Sequence, residues 1–278
     1  MNASGTSVHR RSALRSGAGA ALAGALATGC ADGHDAAGTS TNTSAGTPTN
    51  APAQATGKSD AGARPPAPRP AAVPHRIPGQ PVQIEHGPRN RPRVALTFHG
   101  QGDPAVARAV LAEAERAHAR VTVLAVGSWL DEHPDMARRI LDGGHDLGNH
   151  TQSHVDISAM GEAAAYAEIT GCAQRLRRLT GSIGTWFRPS RSRYATPLVQ
   201  RLARRAGYPH VLSYDVDSLD FTSPGAAAVT RKVAREIRNG SVVSLHFGYT
   251  DTVAALPVLL SEIDRRQLRA VTTTELLT

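Results

Sequence analysis

Asp146-Leu147-Gly148-Asn149-His150-Thr151-Gln152-Ser153-His154 carries two histidines four positions apart, directly after a short apolar run broken by one glycine. His-x3-His spacing lets two imidazoles converge on one point, from a helical turn or from a tight loop. Neutral imidazole is the commonest protein ligand for zinc and related ions. In a chain with 12 histidines the pair also fits an ordinary solvated or capping role. Its meaning therefore depends on what the flanking segments place beside it.

On both sides of this stretch, apolar runs and helical patterns alternate. Runs at 94–98, 121–126, 145–149, 185–188, 210–214, 241–245 and 268–272 read as strands. Helical patterns lie between them at 104–119, 134–141, 162–179, 197–206, 226–238 and 253–266. Pro104 suits a first helical turn, and Gly143-Gly144, Thr180-Gly181 and Asn239-Gly240 supply stops. This alternation predicts an α/β domain with a parallel sheet, open or closed as a barrel. In a β/α barrel, groups at the C-terminal ends of strands meet at one mouth. His99 follows the first of these strands, His150 the third and His246 the sixth. Arg188 ends the fourth, and Asp215 and Asp217 follow the fifth. So many ionisable residues after strand ends point to a site assembled at that mouth.

The chain begins differently. Arg10-Arg11-Ser12-Ala13-Leu14-Arg15 precedes an uncharged run of small residues that ends in Leu26-Ala27-Thr28-Gly29-Cys30. A basic start before a short apolar region reads as an export signal over residues 1–30. The paired arginines resemble a twin-arginine signal. The end resembles a lipobox, with Ala27 where leucine is usual and Cys30 as the lipid-bearing terminus. The expectation is an exported protein, held on the extracellular face of the cell membrane as a lipoprotein or secreted. The run is too short and too poor in large apolar residues for a transmembrane helix. Residues 31–90, rich in Ala, Gly, Thr, Ser and Pro, bury too little surface to offset chain entropy and are expected to form a disordered tether. A short strand at 82–86 is the exception. The folded domain is then expected over residues 91–278, long enough to build a core.

Charge and cysteine usage narrow the classes. Of the formal charge of +8, the larger part falls before residue 92, where nine Lys and Arg face four Asp and Glu. The domain lacks the clustered basic face that nucleic acid requires, and short runs such as Arg175-Leu176-Arg177-Arg178 read as a solvated helix face. No nucleic-acid partner is expected, and a monomer is. Cys172 falls within a helical pattern and is expected as a buried, inert thiol without an intrachain partner.

Several ordered motifs from Arg93 onward together resemble the polysaccharide deacetylase family, also called the NodB homology domain or carbohydrate esterase family four. Ala95-Leu96-Thr97-Phe98 resembles the strand entering the first motif. His150-Thr151-Gln152-Ser153-His154 matches the metal-binding His-x3-His motif. Phe187-Arg188-Pro189 matches the start of the third. Tyr214-Asp215-Val216-Asp217-Ser218-Leu219-Asp220-Phe221 matches the fourth, with Phe221 in place of tryptophan, and Ser244-Leu245-His246 matches the fifth. The resemblance implies a distorted (β/α)7 barrel and metal-dependent removal of N-acetyl groups from an envelope polysaccharide such as peptidoglycan or another N-acetylglucosamine polymer. It implies a divalent metal, zinc above all, on His150 and His154. It also implies His246 as catalytic acid, Asp217 orienting it, and Arg188 orienting an aspartate base.

The first motif departs from the family. Thr-Phe-Asp-Asp-Gly is usual, with a base and then a metal ligand; here those two positions hold His99 and Gly100. Ser190 and Arg191 stand where proline and tyrosine are usual. Asp103 is the nearest carboxylate; it is expected as the third metal ligand, with His99 as the alternative, and as a partner for Arg188. His99 or Asp103 is expected to replace the base. Leu245, Tyr214 and Phe221 are expected to frame the acetyl methyl. Loss of both carboxylates keeps a second reading open, a carbohydrate-binding envelope protein without catalysis. A third is a hydrolase of a different amide or ester.

Overall fold

A computed structural model of the chain describes residues 71–278. The export signal, Cys30 and the tether up to residue 70 lie outside the described residues. Among the described residues there are eight strands: β1 (Gln83–Ile84), β2 (Arg93–Gly100), β3 (Thr122–Ala125), β4 (Asp146–Asn149), β5 (Val211–Leu212), β6 (Val216–Asp217), β7 (Val242–His246) and β8 (Arg269–Ala270). The helices are α1 (Pro104–Arg116), α2 (Gly127–Glu132), α3 (Asp135–Asp142), α4 (Glu162–Thr180), α5 (Pro197–Arg205), α6 (Ala226–Glu236), α7 (Thr250–Arg265) and α8 (Thr273–Leu277).

The sheet order β4-β3-β2-β7-β6 is parallel throughout. Phe187 bridges Asn149 of β4 to Val211 of β5. Because β5 and β6 are two ends of one stretch, residues 211–217, the ring closes on itself. The result is the distorted (β/α)7 barrel that the resemblance implies. Its fourth stave is a single bridging residue rather than the four-residue strand read at 185–188. β8 pairs with the start of β2, while β3 pairs with its end.

Helix ends follow sequence chemistry. Asp103 caps α1 ahead of Pro104, Thr196 caps α5 ahead of Pro197, and Thr272 with Glu275 forms a capping box on α8. Gly181, at φ 81°, closes α4 in the left-handed conformation. α7 starts at Thr250, three residues earlier than the apolar pattern suggests, and holds Pro257 on its solvent side. Cys172 is buried in α4; burial pushes its thiol up to about 12, which keeps it inert.

Strand periodicity decides what faces the barrel interior. On β2, Val94, Leu96 and Phe98 join the core beneath the helices, while Ala95 joins an inner cluster with Leu124, Leu212 and Val242. Thr97 and His99 continue that inward series upward. On β7, Val243 and Leu245 face the helices, so Val242, Ser244 and His246 have the inward parity. The barrel is thus apolar at its base and polar at its mouth.

The domain begins earlier than residue 91. β1 pairs in parallel with β5, and Ile77 and Ile84 are buried in the inner cluster. Arg89 reaches the other side of the base, donating to Asp215 at 2.7 Å. The composition of this segment reads as tether because few apolar residues suffice to anchor it. Its backbone is instead held by pairing with a distant strand.

Candidate active site

β2 and β7 pair in register with His99 opposite His246. Both residues stand at inward positions near strand ends, and their ring centroids are 4.3 Å apart. His150 follows β4 directly, and its ring meets His99 edge-on at 4.3 Å. His154 lies 5.0 Å from His150, centroid to centroid. One ligand nitrogen from each of His99, His150 and His154 lies within 4.8 Å of the others. Among the described residues this is the one such group of three metal-ligating side chains.

The His-x3-His segment is a tight loop rather than a helical turn. Thr151 (φ 70°) and His154 (φ 52°) are both left-handed, a conformation that costs free energy in residues with a Cβ. Surrounding contacts hold it. The first N–H groups of α2, Gly127 and Ser128, donate to the carbonyls of Thr151 and Gln152 at 2.9 and 2.8 Å. Asn149 accepts from Thr151 N–H, and Glu168 of α4 accepts from Ser153 N–H, each at 2.8 Å. At Gly127 the chain passes close to the loop and to α4: a Cβ there would displace the Gln152 side chain and come within 3.2 Å of Cys172 Cα.

Hydrogen bonding fixes the ligand atom of His150. Its Nδ1 donates to the Arg188 carbonyl at 3.1 Å, which leaves the lone pair on Nε2. That Nε2 is buried and has no hydrogen-bond partner. A buried polar atom without a partner is costly, and a metal ion would satisfy this one. Nε2 of His99 faces the Ser244 hydroxyl at 3.2 Å and Arg188 Nη1 at 3.3 Å. Burial holds His99 and His150 well below the ordinary imidazole range, reinforced by the neighbouring histidines and Arg188. Burial, then Arg191 and His246, bring His154 down to about 4. All three are neutral at physiological pH, the form that ligates metal. The donor set and its neutral state fit a borderline divalent ion such as zinc.

Three expected pairings are corrected by the structure. Asp103 does not join the histidines; it is exposed and accepts from Ala105 N–H at 2.7 Å as the α1 cap. The third member of the group is His99, because strand parity turns it inward while Asp103 lies beyond the strand end. Arg188 does not pair with Asp103. It is fully buried, donating to the Leu212 and Ser213 carbonyls at 3.2 and 2.9 Å and to the Thr97 hydroxyl at 2.9 Å. Burial pushes its guanidinium down to about 10.

The third correction concerns His246. Asp217 does not orient it; that carboxylate accepts from Leu219 N–H at 3.1 Å and from the Tyr214 hydroxyl at 3.5 Å. His246 Nδ1 donates to Asp220 Oδ1 at 2.7 Å. Asp220 Oδ2 accepts from His246 N–H at 2.8 Å and from the Thr252 hydroxyl at 2.6 Å. Leu219, at φ 56°, turns the chain so that the fully buried Asp220 sits beneath the imidazole. His246 Nε2 is left as the ring nitrogen that can take or give a proton.

Above these groups is a cavity of about 340 Å³ whose lining includes His99, His154, His246, Tyr214, Asp217 and Phe221. Tyr214 and Phe221 are therefore in contact with this cavity. Leu245 is not, since its parity sends it into the core with 1% exposure. Sequence reasoning missed Ser244 and Asn149 as supports. Strand pairing brings Ser244 to His99, and Asn149, the neighbour of His150 in sequence, is held by the distant Ile169 carbonyl and Tyr208 hydroxyl.

A family model described as polysaccharide deacetylase matches residues 86–211. A peptidoglycan-N-acetylglucosamine deacetylase of Bacillus cereus is 30% identical over 194 residues, covering 68% of this chain and 90% of that protein. Among solved structures, a family 4 carbohydrate-esterase pseudoenzyme from Bacillus anthracis superposes with a TM-score of 0.67 at 22% identity, covering 72% of this chain and 70% of that one. A peptidoglycan N-acetylglucosamine deacetylase in complex with an N-hydroxybenzamide compound gives 0.66 at 24% identity, covering 70% and 92%. The structural matches share the fold, and the sequence match carries the kinship. With its closed barrel, its His-x3-His loop and this match over most of a curated relative's length, the chain belongs to the polysaccharide deacetylase family.

Proposed function

We propose that this chain hydrolyses N-acetyl groups on an envelope polysaccharide, peptidoglycan or another N-acetylglucosamine polymer, with zinc held by His99, His150 and His154. The observation that carries the reading is the buried, partnerless Nε2 of His150, which converges with two further neutral imidazoles beside the hydrogen-bonded His246–Asp220 pair. Three protein ligands are the ordinary complement of a catalytic zinc site. In this reading His99 offers one ring nitrogen to the metal, and the Ser244 hydroxyl and Arg188 Nη1, at 3.2 and 3.3 Å from its Nε2, hold the ring from behind.

When bound, the metal polarises the acetyl carbonyl and makes water a stronger nucleophile. The chain's residues move the proton. With Asp103 capping a helix and His99 in the ligand group, His246 is the remaining group placed to act as base. Its Nε2 takes a proton from the attacking water and passes it to the amide nitrogen as the C–N bond breaks, giving acetate and a free amine. Asp220 holds the tautomer that makes this possible and stabilises the imidazolium. Tyr214 and Phe221 orient the acetyl methyl. The export signal and Cys30 support the further reading that the domain works outside the membrane as an anchored or secreted protein.

A glycan-binding protein without catalysis is the competing reading, and it draws on one observation: no carboxylate joins the histidine group among the described residues. Incubating the zinc-loaded chain with peptidoglycan and with chitin oligomers, and assaying released acetate, separates the two. Acetate that vanishes in His246→Ala supports the enzyme. Glycan binding with no acetate under any added metal supports the alternative.

A further inference from the structure

Two arginines stand at the rim of the cavity, and among the described residues neither has a carboxylate partner. Arg191 is exposed, lines the cavity beside His154, and takes part in no ion pair among the described residues. Its backbone is left-handed, at φ 53°, in the loop that follows the buried Arg188. Such strain in a residue with a Cβ persists where the surroundings enforce it, and it gathers at ligand-binding loops. Arg193 is exposed as well, but it is not loose. Its Nε donates to the Tyr214 carbonyl at 3.2 Å, and its guanidinium lies over the Tyr194 and Tyr214 rings at 5.1 and 5.2 Å. An arginine held by two aromatic faces and one carbonyl loses little further freedom on gripping a ligand.

The carboxylates at this mouth do not answer them. Asp220 is fully buried and accepts three hydrogen bonds. Asp217 lines the cavity, but both of its oxygens are engaged by its own loop and by Tyr214. β2, whose end stands at this mouth with His99 and Gly100, carries no carboxylate to offset the two arginines. Guanidinium groups recognise planar oxyanions through paired N–H donors. We infer that Arg191 and Arg193 bind a carboxylate carried by the sugar next to the N-acetylated one, so that the site prefers an acidic glycan to a neutral one. This rests on the proposed glycan substrate and deepens it.

The test is titration calorimetry on the full chain, zinc-loaded and again with chelator present so that no acetate is released. Three N-acetylglucosamine oligomers of equal length are compared. One is neutral, one carries a lactyl ether carboxylate on alternate sugars, and one alternates with a uronic acid. The methyl esters of the two acidic chains are the charge controls. At least one acidic chain is expected to bind about tenfold or more tightly than the neutral chain. Esterification, Arg191→Ala or Arg193→Gln should remove most of that preference, and raising salt from about 0.05 to 0.5 M should weaken it. The acidic chain that wins identifies the source of the carboxylate. Equal binding of neutral and acidic chains overturns the inference, as does a preference that survives in the Arg191→Ala/Arg193→Gln double variant, or no binding by any chain. Acetate release without charge preference would leave the deacetylase standing and remove this inference. Charge preference without acetate release would do the reverse.

Discussion

Replacing Asp220 by asparagine probes the arrangement that only the tertiary structure shows. Asp220 Oδ2 accepts two hydrogen bonds, from the His246 backbone N–H and the Thr252 hydroxyl, while Oδ1 accepts one, from His246 Nδ1. A backbone N–H cannot turn round, so the amide oxygen of the asparagine must take the Oδ2 position. Its NH2 then faces His246 Nδ1, which can meet it only by surrendering its proton. The imidazole flips tautomer and carries N–H at Nε2, where it no longer accepts a proton from water. The same exchange in the well-studied serine protease triad lowers turnover by about 10⁴-fold, and a loss of three to four orders of magnitude is expected here. A charge-assisted hydrogen bond becomes a neutral one, so stability should fall by about 1–2 kcal/mol. For a domain of this size that is a melting shift of about 2–8 °C. Asp217→Asn keeps its oxygen towards Leu219 N–H and should cost less than about tenfold in rate, roughly 1.4 kcal/mol of barrier. Nitrogen-15 NMR of the histidine rings reads the tautomer without requiring activity, and acetate release reads the rate. A wild-type tautomer and rate in Asp220→Asn, or an equal loss in Asp217→Asn, would refute the reasoning.

Metal content of the purified chain should approach one zinc and fall to background in His150→Ala. Asp103→Ala should keep the metal and lose about 0.5–2 kcal/mol of stability through its lost helix cap, read by urea denaturation. Restoring the family carboxylate by Gly100→Asp should fail: a Cβ at 100 comes 2.9 Å from Val123 Cγ1 and 3.0 Å from Ala125 Cα. A loss of about 1–3 kcal/mol without gain in zinc affinity is expected, and a stable, more active variant would contradict it. The metal-free chain should be acid-sensitive. Burial places His99, His150 and His154 below the ordinary imidazole value of 6.5 in the folded state. The unfolded chain then binds more protons below that value, so stability present at pH 7.5 is lost as pH falls from 6.5 towards about 4, where His154 titrates. Denaturation midpoints at pH 7.5, 6 and 5 follow this, and a flat profile would contradict it.

Much of the fold was legible because it is written in local periodicities. Apolar runs alternating with helical patterns give a parallel α/β domain, and Pro104 and Gly181 mark helix ends that the structure keeps. Thr185–Arg188 has the composition of a strand but contributes one bridging residue, Phe187. Within residues 71–90 the short strand expected at 82–86 is present as β1, while the rest reads as tether because its apolar anchors are few and the strand that holds it, β5, lies more than a hundred residues on.

By itself the sequence determined the alternating strand–helix class, the family, and the placement of His99, His150, Arg188 and His246 after strand ends. Those follow from residue type and short-range spacing, which local chemistry enforces. Which groups touch was decided only by the tertiary structure. Barrel closure and strand register set His99 against His150 and His246, turned Leu245 outward and left no room beside Gly100. A left-handed residue at Leu219 chose Asp220 over Asp217 as the partner of His246, although both follow the same strand. The physical reason is reach. A carboxylate–imidazole hydrogen bond is decided within tenths of an ångström, and that scale is fixed by packing between elements far apart in the chain.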